Sequence, residues 1–118
     1  MGSAEQVLKE IEEKAKIEFL PIVGPERGRI LAEEIRKARP KRVLEVGTLI
    51  GYSVILMGKE LSKKTLIITI ENHSEEAKVA EENIRRAGIP PKVQVITGDA
   101  IQVIPSLRDS FDFVFIDA

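Results

Sequence analysis

The run Val43-Leu44-Glu45-Val46-Gly47-Thr48-Leu49-Ile50-Gly51-Tyr52-Ser53 constrains this chain more than any other stretch, because an apolar strand passes straight into a glycine-punctuated turn and then a helix. Glycine admits backbone angles that other residues avoid and lets a ligand approach the main chain closely. The helix that follows presents unpaired N–H groups to a negatively charged group. The loop from Gly47 to Ser53 is therefore the candidate cradle for a nucleotide-like ligand. Two glycines without the third of the dinucleotide fingerprint are a weak signal by themselves, so the surrounding pattern has to carry the reading.

That pattern alternates. From Ala4 to Leu20, apolar Val7, Leu8, Ile11, Ala15 and Phe19 recur at helical spacing among Glu and Lys, which predicts an amphipathic helix closed by Pro21. Val23-Gly24-Pro25-Glu26-Arg27-Gly28 reads as a loop and entry turn, and Ile30, Leu31, Ile35 and Ala38 as the buried stripe of a second helix ending before Pro40. Arg42 to Val46 and Leu66 to Ile70 are short, mostly apolar strands flanking a helix from about Tyr52 to Leu61. Ser74, as N-cap, opens a further helix through Ala77, Ala80, Ile84 and Ala87 that stops at Gly88 ahead of Pro90 and Pro91. Val93 to Ile96 and Phe111 to Ile116 read as strands three and four, with a helical turn from Ala100 to Leu107 between them. The order βαβαβαβ predicts an α/β fold: a Rossmann-like, doubly wound parallel sheet with right-handed crossovers, helices on both faces and two preceding helices.

At 118 residues the chain is one domain at most. Its 18 basic and 19 acidic side chains leave no global field, which argues against a large nucleic-acid surface. The absence of cysteine excludes disulfides, thiolate zinc sites and a cysteine nucleophile, and fits a cytoplasmic setting. No apolar run approaches the roughly 18 residues that span a bilayer, and Glu5, Glu10, Glu12 and Glu13 stand where a signal peptide would be cationic and apolar, so no membrane partner is expected. Met1-Gly2-Ser3 is given no structural weight.

In an open parallel sheet the ligand sits beyond the carboxyl ends of the strands, where strand order reverses. Glu45, Gly47, Glu71, Asp99 and Asp117 stand at those ends, and four acidic groups are expected to converge on one rim. Glu71 lies some two dozen residues after Gly47, near the interval of about 20 at which an acidic side chain takes both hydroxyls of a ribose. His73 reads as a solvent-facing or capping residue. The Lys and Arg clusters at residues 36–42 and 63–64 read as solvated faces.

The wider string Glu45-x-Gly47-Thr48-x-x-Gly51-Tyr52-Ser53 resembles the class I S-adenosylmethionine-dependent methyltransferases. More narrowly it is similar to the metal-dependent O-methyltransferases related to catechol and caffeoyl-CoA O-methyltransferases. Val23 to Gly28, Ile68-Thr69-Ile70-Glu71, Gly98-Asp99-Ala100 and Phe113-Val114-Phe115-Ile116-Asp117-Ala118 extend the likeness from about Val23 to Asp117. The resemblance implies that Val23 packs over the cofactor, that backbone around Gly47, Thr48, Gly51 and Tyr52 lines it, and that Ser53 meets the methionine carboxylate. It puts Glu45 near the methionine ammonium, Glu71 on the ribose, and Asp99, Ala100 and Ile101 around the adenine. Asp117 would border the cofactor and ligate Mg²⁺ or a similar divalent cation, and the acceptor would be a small, catechol-like hydroxylated molecule.

The resemblance also implies seven strands where four are readable, in order 3-2-1-4. The later metal ligands and the acceptor pocket of the family have no counterpart here, so the chain is expected to be a partial domain, truncated to the cofactor-binding portion and not itself competent in catalysis. Strand four would then be an apolar edge that invites a homo-oligomer. Two other readings stay open: an NAD-dependent oxidoreductase domain, to which the βαβ unit and Glu71 also fit, and a non-catalytic module assembling through the strand-four edge.

Overall fold

The computed structural model describes residues 2–117; Met1 and Ala118, the last residue of the strand-four motif, lie outside them. The elements follow in the order α1 (Ser3–Glu18), α2 (Gly24–Ala38), β1 (Arg42–Val46), α3 (Tyr52–Gly58), β2 (Leu66–Glu71), α4 (Ser74–Ala87), β3 (Lys92–Thr97), α5 (Ala100–Val103), a 3-10 turn (Ile104–Ser106) and β4 (Phe113–Ile116). All strand pairs are parallel and the sheet order is β3-β2-β1-β4. The fold class is that expected from the alternation of apolar strands and amphipathic helices, and the strand order is that implied by the family resemblance.

Helices cover both faces of the sheet, as expected, but unequally. The crossovers β1 to β2 and β2 to β3 run the same way, so right-handedness puts α3 and α4 on one face; the crossover to β4 runs back and puts α5 on the other. The first face, with α1 and α2 added, holds the main core around Val43, Ile55, Met57 and Ile67, each with no exposed surface. Burying each such side chain contributes roughly 1.5–3 kcal/mol. All seven residues of α3 are buried, as befits a short helix apolar on every side and wedged between the sheet and its neighbours. On the second face, among the described residues, the buried cluster is Leu44, Ile68 and Ile70, beneath α5 and the 3-10 turn.

Several boundaries and burial expectations need correction. α1 ends at Glu18, and Phe19 takes a left-handed C-cap (φ 56) that turns its ring into solvent at 89% exposure. Pro25 lies in the first turn of α2, so residues 24–28 are helix where a loop was expected; proline's fixed φ suits that turn. The stripe that α2 buries is Gly28, Leu31, Ala32 and Ile35, one notch away from exposed Ile30 and Ala38. His73, not Ser74, is the N-cap of α4, without a side-chain cap bond. Gly2 is the N-cap of α1 and Ser3 opens it, so these two residues carry structural weight that the sequence reading did not give them.

Among the described residues β4 pairs with β1 alone and lies at the edge of the sheet. Its residues alternate. Phe113 and Phe115 are half-buried against the main core, whereas Val114 and Ile116 lie 53% and 66% exposed on the opposite face. No described helix is long and apolar enough to cross a membrane.

Candidate functional site

The carboxyl ends of the strands open into a groove of about 580 Å³. Five of the residues singled out from the sequence line it: Gly47, Glu71, Asp99, Ala100 and Asp117. Pro21, Val46, Leu49, Ile70, Asn72, His73 and Gly98 complete the wall. Of these, Val46, Leu49, Ile70 and Gly98 stood within stretches singled out from the sequence. Asn72 and His73 follow the strand-end Glu71 directly, a signal that the isolated reading of His73 overlooked.

The glycine loop is built onto the end of β2. Gly47 N and Thr48 N both donate to the Ile70 carbonyl, at 2.9 and 3.3 Å, and Leu49 N donates to Glu71 Oε1 at 2.7 Å. Gly47 (φ 98) and Gly51 (φ 93) supply the left-handed turns this path requires. Leu49 also sits at positive φ (50), an unfavourable setting for a bulky residue that the Glu71 bond holds in place. A Cβ at Gly51 would lie 3.3 Å from the Ala80 carbonyl oxygen, so α4 packs directly under the turn. Asn83 of α4 donates to the Ile50 carbonyl at 2.9 Å and pins the far side of the loop.

Glu71 is 6% exposed and faces the groove with both oxygens already oriented. Oε2 accepts from His73 N at 3.1 Å and lies 3.0 Å from His73 Nδ1. A carboxylate oxygen carries two lone pairs: Oε1 keeps one toward a ligand, and Oε2 gains one when the exposed His73 ring turns away from it. Across the groove, Asp99 caps α5 by accepting from Ile101 N at 2.9 Å, and Asp117 N is tied to the Val46 carbonyl at 3.0 Å.

Glu45 departs from expectation. It was read as part of an acidic rim, yet it has no exposed surface and lies beneath the groove, on the face of β1 that α3 covers. Ser53 Oγ donates to its Oε2, and Thr69 Oγ1 donates to its Oε1 at 2.6 Å. Burial pushes the Glu45 carboxyl up to about 7; the two hydroxyl donors oppose the rise, and the charges of Asp117 and Glu71 add to it. The rim is therefore three acidic groups, Glu71, Asp99 and Asp117, with a fourth buried under the floor.

Thr48, Gly51, Tyr52, Ser53 and Val23 are likewise outside the groove wall. Thr48 and Ser53 are 1% and 5% exposed and belong to the Glu45 network, so the Ser53 hydroxyl is spent within the protein. Tyr52 turns the other way, its hydroxyl donating to Glu12 of α1 at 2.6 Å. Burial and that acidic partner push the phenol far above its ordinary range. Val23 lines a second groove between α2 and β4, which shares Pro21 and Asp117 with the first. Among the described residues, no three or more His, Cys, Asp or Glu side chains are gathered to hold a metal ion.

Comparison with known proteins agrees with this arrangement. A family model described as O-methyltransferase matches residues 2–118. A catechol O-methyltransferase from Niastella koreensis is 42% identical over 100 residues, covering 81% of this chain and 45% of that protein. One from Mycobacterium tuberculosis is 36% identical, covering 81% and 44%. Among solved structures, an O-methyltransferase from Bacillus cereus in complex with SAH superimposes with a TM-score of 0.83 at 34% identity, over 96% of this chain and 54% of that one. The O-methyltransferase TomG from Streptomyces achromogenes, in complex with SAM, gives 0.83 at 29% identity, over 95% and 53%. The chain thus spans about half the length of the relatives it matches. Its sheet order, glycine loop and strand-end Glu71 and the match across residues 2–118 agree, and the chain belongs to the class I S-adenosylmethionine-dependent O-methyltransferase family.

Proposed function

We propose that the groove at the carboxyl ends of the strands binds S-adenosylmethionine and that the chain is the cofactor-binding part of an O-methyltransferase domain. The observation that carries this reading is Glu71: a nearly buried carboxylate at the end of β2, oriented by the glycine loop and facing a groove of ligand size. A carboxylate so held accepts two hydrogen bonds from a vicinal diol, as the ribose offers. Apolar Pro21, Val46, Leu49, Ile70 and Ala100 suit a purine and a thioether chain. Three acidic groups on the rim and one below suit a ligand bearing an ammonium and a sulfonium.

In this reading Glu71 holds the ribose, Gly98, Asp99 and Ala100 border the adenine, and the Gly47 to Leu49 backbone walls the methionine end. Thr48, Gly51, Ser53 and Glu45 act from beneath, by shaping the loop, and Tyr52 anchors the start of α3 to α1. Val23 belongs to the neighbouring groove and borders the cofactor only through Pro21 and Asp117, the residues the two grooves share. Asp117 fits a hard divalent cation such as Mg²⁺, which takes carboxylate oxygens and retains water. When bound, such an ion draws acceptor oxygens together and eases their deprotonation. Among the described residues Asp117 is not joined by two further acidic or imidazole side chains, so an ion held there would take its remaining ligands from elsewhere.

A small, catechol-like hydroxylated acceptor is supported by the names of the relatives, and the second groove adjoins Asp117, where an acceptor would meet the methyl group. Because the chain matches about half of each relative, we read it as a partial domain that needs further chain for turnover. A cytoplasmic setting goes with this reading. Titration calorimetry of the purified chain tests it: S-adenosylhomocysteine should bind and NAD should not. Binding of NAD alone would move the assignment to an oxidoreductase.

One observation favours assembly as a second property. Val114 and Ile116 are exposed on a strand that has a partner on one side only. We expect the chain to form a homo-oligomer through this edge, and Ile116→Lys to shift it toward monomer in multi-angle light scattering. A monomeric parent chain at high concentration would refute the edge as an interface.

A further inference from the structure

We propose that Thr69 is a positioning residue of this site: its buried hydroxyl bridges Thr48 of the glycine loop to Glu45 of β1 and thereby holds the loop in its ligand-ready shape. The inference rests on the reading of the groove as the cofactor site. Thr69 lies mid-β2, directly opposite Glu45 in the parallel register, and has no exposed surface. Its neighbours Ile68 and Ile70 are apolar, and valine would fill the same volume in a strand at least as well. A hydroxyl at such a place loses its water and is costly unless both its proton and its lone pairs are used.

Both are used, and the order of donation follows from counting protons. A hydroxyl has one proton. With the Glu45 carboxyl ionised, Thr69 gives its proton to Glu45 Oε1, at 2.6 Å, so across the 2.5 Å contact between Thr48 Oγ1 and Thr69 Oγ1 the donor is Thr48. Ser53 supplies the other oxygen of the same carboxylate. The result is a directed chain from Thr48 through Thr69 to Glu45, closed from the far side by the first turn of α3. It joins the glycine loop, β1, β2 and α3 at one point. No described buried side-chain nitrogen or oxygen is left without a partner.

The bridge acts where the loop's backbone is already attached. Gly47 N, Thr48 N and Leu49 N all donate to the last two residues of β2, immediately beyond Thr69. The Thr48 side chain is thus held from the same strand as its amide. Removing the Thr69 hydroxyl frees that side chain and leaves one Glu45 oxygen without its donor, which loosens those three amides before it loosens the sheet.

Amide hydrogen exchange on the full chain, free of ligand, tests this. Thr69→Val should speed exchange at Gly47, Thr48 and Leu49 by about tenfold while Ile67 and Ile55 keep their protection, the size expected for one lost buried hydrogen bond. Thr69→Ser should restore the parent rates, and Thr48→Val should reproduce the loosening from the other end of the bridge. S-adenosylhomocysteine affinity should fall by about tenfold in Thr69→Val and recover in Thr69→Ser. Unchanged loop amides in both valine variants, or a uniform rise across the sheet, would overturn the proposal. Failure of the parent chain to bind S-adenosylhomocysteine would instead remove the cofactor reading, and the exchange result would still decide whether Thr69 holds the loop.

Discussion

Glu71→Ala is expected to weaken S-adenosylhomocysteine binding by about 100-fold or more, the largest ligand effect of any single substitution in the groove. Two charge-assisted hydrogen bonds to ribose hydroxyls would be lost, each contributing roughly 1.5 kcal/mol or above. The loss has a second source within the protein. Glu71 Oε1 also fixes Leu49 N and so holds a leucine at positive φ; without it the loop wall relaxes away from the ligand. Glu71→Gln keeps one acceptor oxygen and should fall between parent and alanine. Calorimetric titration of the three proteins gives the ranking, and a Glu71→Ala chain that binds as tightly as the parent would refute the ribose assignment.

The second large effect is on stability and comes from Glu45. In the unfolded chain its carboxyl titrates near the ordinary 4.5, while burial in the folded chain pushes it up to about 7. Between those values the folded state holds a proton that the unfolded state has released, so stability falls as pH rises. The contribution is fully present below about pH 4.5 and gone above about 7. At about 1.4 kcal/mol per pH unit it amounts to roughly 3 kcal/mol, a large share of a small domain's stability. Glu60 and Asp112 act with the opposite sign. Hydrogen bonds from Lys59 and Arg36 hold Glu60 low against its burial, and the Lys41 and Arg42 amides hold Asp112 low, so their contributions are lost only on acidification below their ordinary values. Urea unfolding at pH 5 and pH 8 should show the parent chain weaker at pH 8. Glu45→Gln, which cannot titrate, should remove most of that difference; an equal slope in both proteins would place the proton elsewhere.

Much of the fold was legible because it follows from local rules that do not depend on partners. Apolar runs of strand length alternating with 3.6-residue stripes, Gly88 at a left-handed C-cap, and right-handed crossovers together lead to four parallel strands, and the family resemblance adds their order, 3-2-1-4. The position of the groove followed in turn, since the reversal of strand order puts it between β1 and β4, beside the Gly47 loop and Glu71. Phe19 and Ile30 failed for a reason within the same rules. Helical period tells which residues share a stripe, but a helix that ends one residue earlier, or presents a stripe one notch around, sends an apolar side chain to water.

What the amino-acid order determined by itself was the alternation of strands and helices, the glycine loop and the strand-end acids Glu71, Asp99 and Asp117. What only the tertiary structure decided was which of the marked residues face the ligand and which face each other. Glu45 and Glu71 both end or nearly end a strand, and nothing local separates them. Their fates differ because the parallel register sets Glu45 against Thr69 under the buried helix α3, while Glu71 lies two residues further along β2, past the cover of α3. Tyr52 meets Glu12 across forty residues of chain for the same reason. A carboxylate's surroundings are set by elements distant in sequence, and desolvation, the force that separates a buried anchor from a ligand-binding group, acts only once those elements have packed.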